Sequence, residues 1–492
     1  MKWEKSVFRL FLEHSSSSMI ETGEKTENLE EIQSTVQTWV DKHFSYNALI
    51  TLFFFMNLLN YMERVVVSGS SEKILEFIRR TLPSHENTYF GALTSGFICG
   101  FSIASVLFGY WVTKWDPFKV VSVGLTCWLV AAIMSGLAPN YWVLLIARMI
   151  SGVGEAAFQI VVPSYINEKS PKEKLGSSMA LLYAAISVGT AIGFMLSGWV
   201  SQYYSWRYMY LFAAPLMLPA IIIVYFITFI PKATENDKTT FAGATCALLK
   251  MPLFILSFLA EAADVFVCGA YLAFGNQLLI HIGFFDDEAT SSLVYGALCC
   301  GAGVVGSIIG GWALNRYGVK ETDSQVKSLL CFSKHFFVCA VISGVFCSFT
   351  AFLVHQRTLF LIFFFLGFVG IFMSNPSWTL IVLNTAPPLV RPMAMAVATV
   401  FYHLCGDVPA PVITGRFLDA WLHWAGKNEH RRWLAYLYTH WFILSALILF
   451  ILFTLFICIL AKRKWEVEEK GKERGEMGES LLGESVCEVV NE

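Results

Sequence analysis

Twelve long apolar stretches constrain this chain more than any other feature. They run approximately over 46–68, 88–113, 118–138, 141–166, 175–201, 207–230, 251–281, 288–316, 330–354, 357–384, 389–420 and 432–461. About twenty apolar residues in an α-helix cross roughly 30 Å of hydrocarbon. In that medium every backbone polar group needs an internal partner, so a span is either a helix or a strand of a closed barrel. A barrel would show shorter, alternating segments. The chain is 56% hydrophobic and 15% charged, against about 25% charged for soluble proteins. The expected fold class is therefore an all-α membrane protein with twelve transmembrane helices. A net charge of −2 gives no reason to expect a nucleic-acid partner.

The polar breaks divide the chain. Residues 1–45 form an N-terminal tail with no cleavable signal, and 46–230 hold six spans. Residues 231–249 are the longest break, 250–462 hold the other six spans, and 463–492 form a charged tail expected to be disordered. An even number of spans puts both tails on one side. Loops on that side carry 13 Lys and Arg against 8 opposite, and Lys462-Arg463-Lys464 follow the last span directly. Both tails are expected to be cytoplasmic. The stretch Glu72 to Arg80 reads as a short amphipathic helix at the outer surface. The twelve cysteines are scattered without a CxxC pair and read as small apolar residues.

Charges inside the apolar blocks carry the functional information. The fourth block contains Leu145-Ile-Ala-Arg148-Met-Ile-Ser-Gly-Val-Gly-Glu155-Ala-Ala-Phe158. At about 100° per residue, Arg148 and Glu155 fall on nearly one face, roughly 10 Å apart along the axis. A charge near the bilayer centre costs about 2.5–3.5 kcal/mol or more. This stripe is expected to line a polar cavity rather than face lipid. The first block contains Asn57-Leu-Leu-Asn60-Tyr61-Met-Glu63-Arg64. Adjacent helical residues point about 100° apart, so Glu63 and Arg64 cannot pair with each other. Arg148 is the economical partner for Glu63; the alternative is that Glu63 and Arg64 snorkel to the outer interface. Asn60 and Tyr61 favour a polar-lined face.

Two further blocks contain ionisable groups. Glu261 and Asp264 share one face of the seventh, either as additional cavity acids able to hold protons or cations, or as a polar patch near the cytoplasmic end. His403 and Asp407 stand one turn apart in the eleventh, and imidazole titrates near physiological pH. Pro409 and Pro411 follow and predict a hinge beside the site; Asn375-Pro376 predicts a similar break in the tenth block. Gly152-Val-Gly154 and Gly301-Ala-Gly303-Val-Val-Gly306 lie in apolar helices, without the strand–turn–helix setting of a dinucleotide cradle. No cofactor is expected. No nucleophile–base pair or metal-ligand cluster has a defensible spacing, so an enzyme is not expected.

Taken together, Asn60-Tyr-Met-Glu-Arg64, Arg148-x6-Glu155 and His403-Leu-Cys-Gly-Asp407-Val-Pro-Ala-Pro-Val-Ile-Thr-Gly415 resemble the Spinster family of the major facilitator superfamily. The similarity covers about 46–461 and not the tails. It implies two six-helix halves and a proton-linked or facilitative carrier of lysolipids and sphingoid phosphates. By that resemblance Glu63 is the titrating acid and Glu155 a second one. Arg148 is the partner of Glu63 or the anchor of the lipid headgroup, and His403 with Asp407 faces the site from the other half. Where the family has Asp before the first-span Arg, this chain has Glu63. The gating loop normally reads Gly-x3-Asp-Arg; here it is Gly109-Tyr-Trp-Val-Thr113-Lys114, and its C-half counterpart is Gly311-Trp-Ala-Leu-Asn315-Arg316. The missing acids imply a weaker cytoplasmic latch.

The expected function is an alternating-access carrier, monomeric, with a lipid-like substrate and protons as partners. Its headgroup site would comprise Arg64, Arg148, Asn60, Tyr61, His403 and Asp407. The rival readings are a carrier of a small polar solute, and a non-transporting membrane sensor in which the charges form a structural lock. Glu476 to Leu482 is close to an acidic dileucine signal and favours an endolysosomal membrane over the plasma membrane.

Overall fold

Apolar blocks become helices, and their ends fall where caps and prolines stand. Ser45 opens the first helix by accepting the Ala48 amide at 3.3 Å. Asp116 accepts the Phe118 amide ahead of a helix that starts on Pro117, the position where a missing N–H costs nothing. The computed structural model describes residues 45–82, 84–112, 115–169, 175–227, 241–317, 324–386 and 391–473.

The first half comprises α1 (Tyr46–Arg64), α2 (Val66–Gly69), α3 (Ser71–Thr81), α4 (Glu86–Trp111), α5 (Pro117–Gly136), α6 (Tyr141–Lys169), α7 (Leu175–Tyr203) and α8 (Arg207–Tyr225). A short α9 (Phe241–Leu248) precedes the second half. That half comprises α10 (Pro252–His281), α11 (Glu288–Tyr317), α12 (Gln325–Thr350), α13 (Arg357–Thr385), α14 (Arg391–Cys405), α15 (Pro409–Ala425) and α16 (Glu429–Glu473).

Eleven helical segments among the described residues are long and apolar enough to cross a membrane, with α14 and α15 forming one of them. The twelfth span is α1, whose Asn57, Asn60, Glu63 and Arg64 lower its hydropathy. It nevertheless lies in the bundle against α7 and α8, with Phe53, Met56 and Leu59 buried. On the outside of the bundle, Ile103, Ile222, Ile308 and Ile448 are each more than half exposed. A soluble protein rarely shows so much bare aliphatic surface; here it meets acyl chains. The chain is a multi-pass integral membrane protein.

Four expectations need correction. Pro376 does not break its helix: α13 continues through it to Thr385. The tail expected to be disordered from 463 is helical as far as Glu473. Lys462 and Glu466, one turn apart at 3.7 Å, are the kind of i,i+4 pair that sustains such an exposed helix. The loop expected over 231–249 contains α9. The expected surface helix exists as α3, but Ile74, Leu75 and Ile78 are buried; α3 packs on α4, α6 and α10 rather than lying free in the interface.

The halves meet along two seams, α4 against α15 and α7 against α11. Among the described residues, the hydrogen bonds crossing between halves gather at the end of the bundle opposite residues 45 and 473. Asp419 of α15 accepts from Asn87 N and Nδ2 and from Thr88 N and Oγ1 at 2.6–3.1 Å. Glu288 of α11 accepts from Ser71 Oγ at 3.1 Å and Glu72 N at 2.9 Å. His281 of α10 bonds Glu72 at 3.0 Å. Both acids sit at the N-termini of first-half helices, where free amides and the helix dipole favour negative charge.

Candidate functional site

The site begins where α1 stops. Val65-Val66-Val67 is a β-branched run with restricted χ1, and Val65 leaves helical geometry at φ −93°, ψ 2° before α2 resumes. The interruption frees the Arg64 carbonyl, which accepts from Arg148 Nη2 at 3.1 Å. Arg148 Nη1 donates to Glu63, forming a buried ion pair between α1 and α6. Ser151, one turn further along α6, donates to the other Glu63 oxygen at 3.2 Å. The pairing expected from the sequence is therefore present, and the snorkelling alternative is not.

Glycine allows the helices to come this close. A Cβ on Gly152 would stand 2.0 Å from the Phe97 carbonyl of α4, and one on Gly193 would stand 2.6 Å from the Met62 carbonyl of α1. The Phe97 ring then lies between two cations, 4.9 Å from the Arg148 guanidinium and 5.0 Å from that of Arg64. Tyr61 offers Arg64 a second ring at 5.5 Å. Arg64 has no carboxylate partner within ion-pair distance among the described residues, and its Nε is buried without an acceptor.

Glu155 is fully buried below this pair. Gln159 donates to it at 3.3 Å and to Asn57 Oδ1 at 2.8 Å, while Asn57 donates to the Leu182 carbonyl of α7 at 2.9 Å. Both amide atoms of Asn60 are buried without partners.

In the second half, His403 Nδ1 and Asp407 Oδ2 are 2.8 Å apart. The helix breaks immediately afterwards, between Cys405 and Pro409, as the prolines predict. The break packs on α10, and a Cβ on Gly406 would lie 2.4 Å from the Ala262 carbonyl. Glu261 and Asp264 are buried on α10, with Glu261 Oε2 and Asp264 Oδ1 lacking any partner. They stand in the third and fourth turns of a 30-residue helix, with Glu261 about 14 Å along the axis from its first residue. The halves face one another here: Phe101 of α4 lies edge-on to His403 at 6.0 Å, and Arg64 is within electrostatic reach of Glu155 and Asp407.

Of the gating-loop residues, Lys114 and the side chain of Asn315 lie outside the described residues. Gly109 has open space where a Cβ would point, and Arg316 is exposed. Sequence reasoning missed Ser151, Gln159 and Phe97. Gln159 was readable, as an amide one turn after Glu155 in an apolar helix. Phe97 was not, because one phenylalanine among 42 carries no mark.

An all-helical bundle of two six-span halves, with ionisable groups from both facing inward, defines a membrane carrier of the two-halved class. Residues 48–408 match the Major Facilitator Superfamily, and the chain belongs to it. Its relatives include a probable sphingolipid transporter, spinster homolog 1, of Arabidopsis thaliana, 27% identical over 427 residues that span 76% of this chain and 83% of that one. A sphingosine-1-phosphate transporter of Danio rerio is 25% identical over 391 residues, 74% of this chain and 75% of that one. Among solved structures, a bacterial homolog of the human lysosomal transporter Spinster, inward-facing and occupied, superposes with a TM-score of 0.67 at 16% identity, covering 84% of this chain and 96% of that one. A D-xylose–proton symporter gives 0.65 at 14% identity, over 83% and 96%. Both likenesses concern the fold.

Proposed function

We propose that the chain moves a lysolipid or sphingoid-type amphiphile across a membrane by alternating access, linked to protons, and performs no covalent chemistry on its cargo. Arg64 carries this reading. A guanidinium inside a span, between two aromatic faces and without a carboxylate, is a ready partner for a phosphate group. Relatives whose names state sphingolipid or sphingosine-1-phosphate transport support the same cargo class. Asn60 and Tyr61 beside Arg64, and His403 with Asp407 opposite, complete the headgroup site. The aromatic side chains around it suit the tail.

Glu63 and Arg148 form the switch. While Glu63 is ionised, the pair ties α1 to α6 and withholds Arg148 from the cargo. A proton on Glu63 cancels the attraction and frees Arg148 to join Arg64 on the phosphate, with Glu155 as a second proton acceptor. A bias of about 1.4 kcal/mol between two states is tenfold in their populations, and breaking one buried pair exceeds that. The tails are cytoplasmic, the closed end is therefore the outer or luminal one, and the protein works as a monomer in an endolysosomal or plasma membrane.

The test is uptake of a labelled lysophospholipid into proteoliposomes. Wild type takes up the lipid, unlabelled lysophospholipids compete, sugars and amino acids do not, and Arg64→Gln loses at least tenfold in apparent affinity. Competition by a small polar solute alone, or full activity in Arg64→Gln, overturns the reading.

A further inference from the structure

The structure holds a second pole that the proton switch does not use. Glu261 and Asp264 stand on one face of α10, buried to within 5% and 2% of full coverage. Neither has a basic partner among the described residues, and Glu261 Oε2 and Asp264 Oδ1 have no hydrogen-bond partner of any kind. Asp407 joins them from the break between α14 and α15. Its Oδ1 lies 3.7 Å from the Cβ position of Gly269, one helical turn and a residue beyond Asp264, and all three carboxylates are within electrostatic reach of one another.

His403 satisfies one oxygen of Asp407, which leaves the two α10 acids without a counter-charge. Carboxyls buried inside a span either hold a proton or need a cation. The surroundings are aromatic: Tyr402 lies within electrostatic reach of Glu261 and Asp407, and Phe258 stacks on Phe401 at 5.2 Å. Carboxylates beside aromatic faces suit a diffuse organic cation. No group of three or more His, Cys, Asp or Glu among the described residues converges as metal ligands would.

We propose that Glu261, Asp264 and Asp407 form the binding site for the ammonium group of the transported amphiphile. The inference rests on the lipid-carrier reading and sharpens it: Arg64 takes the phosphate, and the α10 acids take the ammonium together with Asp407, which is within electrostatic reach of Arg64. A cargo carrying both groups bridges the two halves. One carrying phosphate alone engages only the first.

The experiment measures proteoliposome uptake of two lipids with the same acyl chain, lysophosphatidylcholine and lysophosphatidic acid, which differ in the ammonium-bearing headgroup. Wild type should favour the ammonium lipid at least tenfold in apparent affinity. The isosteric double variant Glu261→Gln/Asp264→Asn should lose that preference while still carrying lysophosphatidic acid, which also shows that it folds. Equal handling of both lipids by wild type overturns the inference. So does a variant that retains the wild-type preference, and so does wild-type uptake that follows external sodium and ignores the headgroup. If the double variant carries neither lipid, the single variants Glu261→Gln and Asp264→Asn decide, since each must lower the preference. A wild type that carries neither lipid removes the carrier reading itself, an outcome distinct from loss of headgroup preference alone.

Discussion

Glu63 and Arg148 are each about 1% exposed, and each is the counter-ion that lets the other stay inside the membrane. Removing one partner of a buried pair leaves an uncompensated charge and costs about 3–5 kcal/mol, whereas replacing both with apolar groups is often neutral. Glu63→Ala should therefore lower the melting temperature in detergent sharply, and Glu63→Ala/Arg148→Met should recover most of the loss. A single variant that melts like wild type would contradict the closed pair. This pairing was legible because adjacency forbids Glu63 from meeting Arg64, and one membrane-buried arginine remained. The lone guanidinium of Arg64 was harder to read, since its aromatic neighbours come from two helices.

At the scale of elements, α3 joins the halves at the closed end. Its Glu72 bonds His281 of α10, its first turn is held by Glu288 of α11, and its Arg79 pairs with Glu86 at the start of α4. The His281 hydrogen bond, helped by the nearby charges of His281 and Arg79, holds the Glu72 carboxyl below the usual glutamate range. A carboxylate with a lowered pKa contributes stability above its unfolded value, near 4.3, and loses it as the pH falls through the folded value. The Glu72 contribution to the latch is thus present at neutral pH and is lost under strong acid. Spin labels at the exposed Lys73 and Lys427 should report one short distance at pH 7 and a second, longer one below about pH 4. Glu72→Gln should show the longer distance already at pH 7. A distribution unchanged by both acid and substitution would remove α3 from the latch. Sequence patterning located α3 but not its partner, because amphipathicity does not say whether the apolar face meets lipid or protein.

For the whole molecule, helix order and span boundaries were legible because bilayer thickness sets helix length and polar breaks mark the ends. Pro376 signals a break in the sequence but does not make one in α13, because membrane helices tolerate proline where neighbours supply hydrogen bonds. The contacts that close one end, such as Asp419 with Asn87, join residues 332 positions apart and leave no local pattern. Their function is nevertheless testable. His85 and Arg416 meet across the halves at 2.8 Å. With exposed Cys246 and Cys405 replaced, oxidation of a His85→Cys/Arg416→Cys pair should arrest transport, and reduction should restore it. Unimpaired transport in the crosslinked protein would mean that this end need not open.

Protonation of Glu63 as the event that couples the halves is tested by lysolipid uptake into proteoliposomes as a function of pH, for wild type and Glu63→Gln side by side. Wild-type uptake should change at least tenfold over the range in which Glu63 exchanges its proton, and should respond to an imposed pH gradient. Glu63→Gln should still bind lipid but give a flat profile that ignores the gradient. A Glu63→Gln profile that follows the wild-type curve would show that the proton acts elsewhere, and the switch described here would be wrong.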